Sequence, residues 1–308
     1  MGQSIIPNLW FDHQAEDAAT FYTSLFDNSR ITAVSRFHEE GSEAHGQPPD
    51  SVSVVEFELS GYKMTALNGG PHFTFTPAIS FFVICETEEE IDNLWHKLSE
   101  GGETLQPLDR YDWSEKYGWV KDRYGLTWQL SLGDIGDVGQ KITPALIFTG
   151  DRTKGAETAM SYYTTVFDNS DVDGILYHGP EAGELEGGVL HAQFSLNGEM
   201  FMVMDFPPEP GMTINEAISF AVPCASQKEV DYYWEKLTYD GDPKARQCGW
   251  CKDQFGVSWQ IVPEVLPEML QDPDPEKVKR VTKAFLQMKK FDIFALEKAY
   301  RGDTEPAA

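Results

Sequence analysis

The feature that most constrains the fold of this chain is an internal repeat. The segment FYTSLFDNS at 21–29 returns as YYTTVFDNS at 162–170, and AISFFV at 78–83 returns as AISFAV at 217–222. A third block, GWVKDRYGLTWQL, returns in the second half as GWCKDQFGVSWQI. Because the blocks recur in the same order with similar spacing, the chain consists of two copies of one domain joined head to tail.

Hydrophobic periodicity predicts the order of elements within each copy. In the first copy the predicted elements are strands at 5–11, 31–37, 51–59 and 62–67 with a helix at 15–26, then strands at 78–85, 104–108, 117–121 and 126–132 with a helix at 88–99. Each copy therefore has the order βαβββ twice. The predicted fold class is α+β, with four such units in the whole chain.

The repeat also sets the predicted domain boundaries. The predicted segments are a first domain at 1–135, a linker at 136–141, a second domain at 142–263 and a helical tail at 264–308. We expect the tail to pack across the domains and to place its basic residues against an acidic surface. These residues are Lys277, Lys279, Arg280, Lys289 and Lys290. The alternative is an exposed helix that binds a partner.

The charge of the chain excludes several classes of partner. Fifty acidic residues against 24 basic ones give a formal net charge of -26, which repels phosphate backbones and anionic lipid headgroups. We therefore expect no nucleic-acid or membrane partner. The sequence has no run long and apolar enough for a transmembrane helix, and its first residues do not resemble a signal peptide. A cytoplasmic location is the resulting expectation.

The four cysteines are too few for a disulfide framework, which also favours a reducing compartment. Cys248 and Cys251 form CGWC, a spacing that redox and zinc sites use. In the first copy the same positions are Tyr117 and Val120 within a predicted strand. Residues three apart on a strand point to opposite faces, so both cysteines are interpreted as strand residues without a metal or redox role.

Several blocks resemble a known family. The opening LWFDHQAEDAATFYTSLF, the blocks YGWVKDRYGLTWQL and CGWCKDQFGVSWQIVP, and the ending QMKKFDIFALEKAYRG are similar to the PhnB-like branch of the vicinal oxygen chelate (VOC) superfamily. This superfamily includes glyoxalase and bleomycin-resistance proteins. Members of the branch often carry the name 3-demethylubiquinone 3-methyltransferase.

The resemblance implies a tandem glyoxalase-like fold. Two βαβββ units would form a curved sheet around a cleft, with one cleft in each copy. The partner would be a small molecule, and the tandem would imitate the homodimer of shorter relatives. The chain would then be a pseudo-dimeric monomer, or would itself form a homodimer.

The resemblance also implies where a metal would bind. Metal-dependent VOC members use His, Gln and Glu ligands on the first and last strands of each unit. The matching positions are Ile6, Thr65, Ser80 and Gln129 in the first copy, and Thr143, Met202, Ser219 and Gln260 in the second. Alkyl, thioether and neutral hydroxyl groups hold divalent ions poorly. The expected cofactor is therefore none, with a divalent metal possible but disfavoured.

Strand alternation gives the candidate ligand-binding residues. Gln129 and Gln260 stand where the metalloenzymes have glutamate, and a neutral amide suits a polar neutral ligand better than a general base. Trp128 and Trp259 fall on the opposite face, toward the helices. The full candidate set is Asn8, Trp10, Glu56, Ser80, Gln129, His191, Gln193, Ser219 and Gln260.

His191 is the candidate catalytic residue, because an imidazole that faces a cleft can act as acid or base near neutral pH. The predicted function is nevertheless binding of a small polar or aromatic metabolite without tightly bound metal. The alternative is a VOC-type lyase, isomerase or metal-recruiting oxygenase that uses His191 and Gln260. Methyl transfer is less favoured, since the chain lacks the Gly-rich strand-to-helix loop of S-adenosylmethionine enzymes.

Overall fold

The computed structural model describes residues 4–37 and 46–303, which contain strands, helices and two short 3-10 turns. The strands are β1 (Ile6–Phe11), β2 (Arg30–Arg36), β3 (Val52–Leu59), β4 (Tyr62–Asn68), β5 (Ile79–Cys85), β6 (Glu103–Tyr111), β7 (Ser114–Lys121), β8 (Thr127–Leu132), β9 (Ile142–Phe148), β10 (Asp171–Tyr177), β11 (Val189–Leu196), β12 (Glu199–Asp205), β13 (Ile218–Cys224), β14 (Asp242–Gln247), β15 (Trp250–Lys252) and β16 (Ser258–Pro263). The helices are α1 (Ala15–Thr23), α2 (Glu88–Ser99), α3 (Ile135–Val138), α4 (Ala156–Val166), α5 (Gln227–Thr238), α6 (Val265–Leu270), α7 (Pro275–Phe285) and α8 (Ile293–Arg301).

The order of these elements confirms the predicted fold class of four βαβββ units and C-terminal helices. Local sequence explains how the units form. On β3, inward residues alternate with partly exposed ones, as a strand with one face on the core requires. At the start of α2, Thr87 accepts a hydrogen bond from Glu90 N–H, and Glu90 accepts one from Glu86 N–H. These two bonds cap the helix much as a capping box does and explain Glu90. The other acidic residues of the first turn, Glu88 and Glu89, suit the positive end of the helix dipole.

The sixteen strands form two eight-stranded sheets, and each sheet combines units from both copies. Sheet A has the order β14-β15-β16-β13-β1-β4-β3-β2, so it joins the first unit to the fourth. Sheet B has the order β10-β11-β12-β9-β5-β8-β7-β6, so it joins the second unit to the third. The expectation that each copy closes a cleft of its own is therefore wrong.

In each sheet, the half from one copy meets the half from the other copy through an antiparallel pair of first strands. In sheet A, β1 pairs with β13 and places Asn8 opposite Ser219. In sheet B, β5 pairs with β9 and places Ser80 opposite Ala145. Strands β5 and β13 carry the same Ile-Ser-Phe pattern, so the sequence alone did not indicate which of them pairs with β1.

Within each copy, the two units are joined by a buried aspartate between the sheets. Tyr22 of α1 donates a hydrogen bond to Asp122 at 2.8 Å, and the Trp128 indole N–H donates to the same carboxylate at 2.9 Å. In the second copy, Tyr163 and Trp259 donate to Asp253 in the same way, at 2.7 and 2.8 Å.

Two backbone N–H groups complete four donors around each of these carboxylates. Burial still raises the pKa of Asp253 to about 6. Trp128 and Trp259 are fully buried on the helix side, as strand alternation predicted.

The C-terminal helices pack on the fourth unit. Phe291 is buried against Gly249, where a Cβ atom would lie 2.4 Å from the phenyl ring. Gln227 of α5 donates to Phe291 O and accepts from Ile293 N–H. Of the basic residues expected to meet an acidic surface, Lys290 pairs with Asp231 of α5 at 2.5 Å.

Other basic residues of the tail bond within it. Lys277 pairs with Asp272, and Arg280 donates to the carbonyls of Ala299 and Tyr300. The tail therefore stabilises the fourth unit, and these contacts do not connect it to the other units.

The CGWC segment has no redox or zinc geometry. Cys248 lies in the β14–β15 turn with φ 49°, so its interpretation as a strand residue is wrong, whereas Cys251 is buried in β15. Burial raises the pKa of Cys251 to about 12. All four cysteines are free, and within the described residues no cluster of three or more His, Cys, Asp or Glu side chains could hold a metal. No helix of the described chain is long and apolar enough to cross a membrane.

Because each sheet needs both copies, a chain cut in the linker should stay assembled. We expect fragments 1–139 and 140–308, produced together, to purify as a one-to-one complex, since each contributes half of both sheets. Size-exclusion chromatography with mass measurement tests this. Fragments that purify separately as folded monomers would contradict the exchanged pairing.

The buried aspartates should make their tyrosine partners important for stability. At pH 8, where Asp253 is ionised, Tyr163→Phe removes one donor from a buried carboxylate and should lower the free energy of unfolding by about 1.5 to 3 kcal/mol. Tyr239→Phe is the control, since Tyr239 is 63% exposed and its loss should change stability by less than about 0.5 kcal/mol. Equal urea-unfolding midpoints for the two variants would contradict the role of the network.

Candidate functional site

Each sheet packs one face against the helices, and its opposite face carries the candidate ligand-binding residues. On sheet A, Leu9, Phe220 and Trp259 point into the helix-side core and are fully buried. Their neighbours on the same strands therefore point to the other face, because side chains alternate along a strand. We call this face cleft A, and its polar side chains are Asn8, Thr65, Ser219, Ser258 and Gln260.

Three of these side chains form a row across adjacent strands at the floor of cleft A. Ser219 on β13 lies opposite Asn8 on one side and opposite Ser258 on the other. Asn8 is 8% exposed and Ser258 is 1% exposed. Asn8 Oδ1 and Ser258 Oγ are both buried, and neither has a hydrogen-bond partner among the described residues.

Thr65 is the hydrogen-bond partner of the Asn8 amide. Its Oγ1 accepts from Asn8 Nδ2 at 2.7 Å and donates to Pro7 O at 3.4 Å. The amide oxygen of Asn8 is therefore the atom without a partner. A buried amide oxygen without a protein donor is uncommon in folded proteins, so this atom is open to a hydrogen bond from a ligand.

Gln260 and two tryptophans lie beside this row. Gln260 donates from Nε2 to Ser219 Oγ at 2.9 Å, and its Oε1 accepts no hydrogen bond within the described part of the chain. Trp10 and Trp250 meet with ring centroids 6.1 Å apart and planes at 80°. Trp10 donates its indole N–H to Gly70 O at 2.8 Å, which fixes the position of the ring.

Glu56 faces cleft A from β3. It lies opposite Thr65 in the β3–β4 ladder, on the face opposite to the buried residues Val55 and Phe57. Its carboxylate forms no ion pair with any residue that the structure describes, whereas Glu58 on the same face pairs with Arg30 at 2.9 Å.

On the corresponding face of sheet B, which we call cleft B, both ends of the glutamine amide have partners. Gln129 donates to Ser80 Oγ at 2.6 Å and accepts from the Tyr117 hydroxyl at 2.7 Å. It is only 2% exposed. Ala145 stands at the position of Asn8, so the polar floor of cleft A has no counterpart here.

Apolar side chains fill much of cleft B. Two buried clusters lie on this face: Ala78, Tyr117, Trp119, Ile147 and Met212 in one, and Ile84, Val138, Ala145 and Met202 in the other. Trp119 Nε1 and Thr143 Oγ1 are also buried without partners. In the ladder Gln129 and Phe82 separate these two residues, so they do not form a shared polar floor.

His191 and Gln193 lie on β11 at the side of cleft B. The His191 ring contacts Phe82 with centroids 6.4 Å apart, and burial lowers the pKa of the imidazole below its usual value. Burial therefore favours the neutral imidazole, and neither ring nitrogen forms a hydrogen bond to the described residues. Gln260 lies on the other sheet, so the expected arrangement in which His191 and Gln260 share one catalytic cleft is wrong.

The exchange of units thus regroups the candidate residues. Asn8, Trp10, Glu56, Ser219 and Gln260 lie in cleft A. Ser80, Gln129, His191 and Gln193 lie in cleft B. Sequence reasoning missed Ser258 and Trp250. The period-two pattern could have found Ser258, because it lies two residues before Gln260 and so on the same face.

The residues present do not fit a resident metal. After regrouping, the VOC ligand positions are Ile6, Thr65, Ser219 and Gln260 in cleft A, and Thr143, Met202, Ser80 and Gln129 in cleft B. Both amides already donate to serine hydroxyls, and neither set contains an anionic ligand or an imidazole.

Comparison with known proteins agrees with this fold. The family model described as 3-demethylubiquinone-9 3-methyltransferase matches residues 3–131 and again 140–262. A PhnB protein from Bacillus cereus, described by the same methyltransferase name, is 44% identical over 42% of this chain and all of its own, with a TM-score of 0.39. Glyoxalase I from Zea mays is 10% identical, with 88% of this chain and 96% of its own covered, and a TM-score of 0.53. A search of curated proteins gave no match.

The glyoxalase similarity supports the fold alone, whereas the family model covers most of the chain and matches it twice. The chain therefore has a glyoxalase-like fold, belongs to the 3-demethylubiquinone-9 3-methyltransferase family and contains two copies of its domain.

Proposed function

We propose that this protein binds a small polar metabolite in cleft A without a tightly held metal. The observation that supports this is the pair of buried, unpartnered atoms Asn8 Oδ1 and Ser258 Oγ on either side of Ser219. Each such atom costs about 1 to 3 kcal/mol when it is left without a hydrogen bond. A ligand that bonds both atoms recovers that free energy and is held at a defined place.

The surroundings of the floor favour a ligand with a flat or apolar part. Trp10 and Trp250 supply aromatic surface beside the polar row, and Gln260 Oε1 offers a further acceptor at its edge. Ligand sites commonly combine such apolar walls with a few fixed polar groups.

Cleft B has a different role in this proposal. Its glutamine is paired with Ser80 and Tyr117, and its central positions carry Ala145 and Met202. We propose that cleft B stabilises its sheet, whereas cleft A binds the ligand.

Binding accounts for these features better than methyl transfer, which the family name describes. The βαβββ order differs from that of doubly wound S-adenosylmethionine enzymes, and the sequence lacks their Gly-rich loop. The enzyme alternative loses its expected partnership of His191 with Gln260, because the two residues lie in different clefts.

A thermal-shift screen of metabolites and antibiotics tests the proposed site. A ligand that binds the folded form raises the melting temperature, and hits for cleft A should lose this shift in Asn8→Leu. Gln193→Leu in cleft B is the matched control and should keep the shift. Hits that survive Asn8→Leu but disappear in Gln193→Leu would assign binding to the other cleft and contradict the proposal.

The metal-free character is tested by elemental analysis. After incubation with Zn²⁺ or Ni²⁺ and dialysis, the protein should retain far less than one ion per chain, because the available donors are neutral amides and hydroxyls. Stoichiometric metal that is lost in Gln260→Ala would show that cleft A recruits an ion.

A further inference from the structure

The unpaired atoms of cleft A share one hydrogen-bonding character. Asn8 Oδ1 and Gln260 Oε1 are amide oxygens, which only accept, and the Glu56 carboxylate only accepts when it is ionised. Ser258 Oγ can accept as well as donate. The Trp10 N–H is already donated to Gly70 O. A ligand must therefore supply most of the hydrogen-bond donors.

The unpaired charge in the cleft is negative. Arg30 is paired with Glu58 at 2.9 Å, and Lys252 is paired with Glu216 at 2.8 Å. Lys63 lies opposite Glu58 in the β3–β4 ladder. Glu56 thus remains as a carboxylate without an ion-pair partner among the described residues. Two strand spacings separate it from Asn8, about 10 Å, which a ligand of one ring and a short chain can span.

The aromatic surface matches a cation as well. Trp10 and Trp250 lie on the same face of sheet A as the polar row, and indole rings attract a positive charge through their quadrupole. Cleft B lacks the same combination, because Gln193 replaces Glu56, Ala145 replaces Asn8 and Ile147 replaces Trp10.

We propose that cleft A selects a protonated amine that carries an aromatic or other apolar group. The ammonium N–H groups would donate to Asn8 Oδ1 from the side of Glu56, whose carboxylate balances the charge, and the tryptophans would contact the apolar part. This inference rests on the proposed function, because it names the chemical class of the ligand for the same cleft.

Three probes of equal size separate charge from shape: phenethylamine, 2-phenylethanol and phenylacetate are cationic, neutral and anionic at neutral pH. Isothermal titration calorimetry on the full chain should rank the amine first, roughly 3- to 10-fold tighter than the alcohol, with the acid weakest. In Glu56→Gln, the advantage of the amine over the alcohol should disappear, while the affinity for the alcohol stays unchanged.

Glu58→Gln is the matched control, because it removes an equal charge from the same face of the same strand, and Glu58 is already paired with Arg30. It should keep the preference for the amine. If it removes the preference as fully as Glu56→Gln does, the long-range charge of the protein explains the selectivity and the inference fails.

A second variant separates failure of the inference from failure of the proposed function. Asn8→Leu should weaken the amine and the alcohol alike, by about tenfold. If the alcohol or the acid binds as tightly as the amine and both are lost in Asn8→Leu, the cleft binds ligands but not by charge, and only the inference is overturned. Binding that Asn8→Leu leaves unchanged, or no binding of any probe at millimolar concentration, overturns both.

Discussion

The antiparallel pairing of first strands from different copies is the interaction on which both clefts depend. It places Asn8 of the first unit opposite Ser219 of the fourth, and Ser80 of the second unit opposite Ala145 of the third. A shift of one residue would turn every side chain of the strand to the other face, so the register decides which residues line a cleft. The site in cleft A therefore belongs to neither copy alone, and a substitution in either copy changes a cleft that it shares with the other.

Much of the fold, but less of the site, could be predicted from the sequence. Periodicity indicated four βαβββ units and assigned Gln129 and Gln260 to one face of their strands and Trp128 and Trp259 to the other. It could not indicate strand partners, since β5 and β13 present nearly the same side chains to β1. Local pattern determines which face a residue occupies, whereas the pairing across the sheet depends on how the connections run between the two sheets.

The different surroundings of the two equivalent glutamines have their origin in a hairpin. In sheet B, Tyr117 in β7 donates to Gln129. The residue equivalent to Tyr117 in sheet A is Cys248, which lies in the turn of a shorter hairpin with φ 49°. The tail holds that turn, because Cys248 N–H donates to Met288 O and Gly249 N–H donates to Lys289 O. No hydroxyl reaches Gln260 from this position, so its amide oxygen stays open to the cleft.

Burying Asn8 Oδ1 and Ser258 Oγ without hydrogen-bond partners in the described part of the chain lowers the stability of the fold, and this cost is the reason that the two atoms indicate a function. Alanine at the position of Ser258, or an apolar residue at that of Asn8, would bury no unpartnered atom and would make the sheet more stable. The fold tolerates an apolar residue there, because cleft B has Ala145 at the position of Asn8. Residues that break the local rules of packing without a structural benefit are expected at functional sites. The unpartnered pair beside Ser219 is such a place. The Glu56 carboxylate, which has no ion-pair partner among the described residues, lies on the same face of sheet A, as do Trp10 and Trp250.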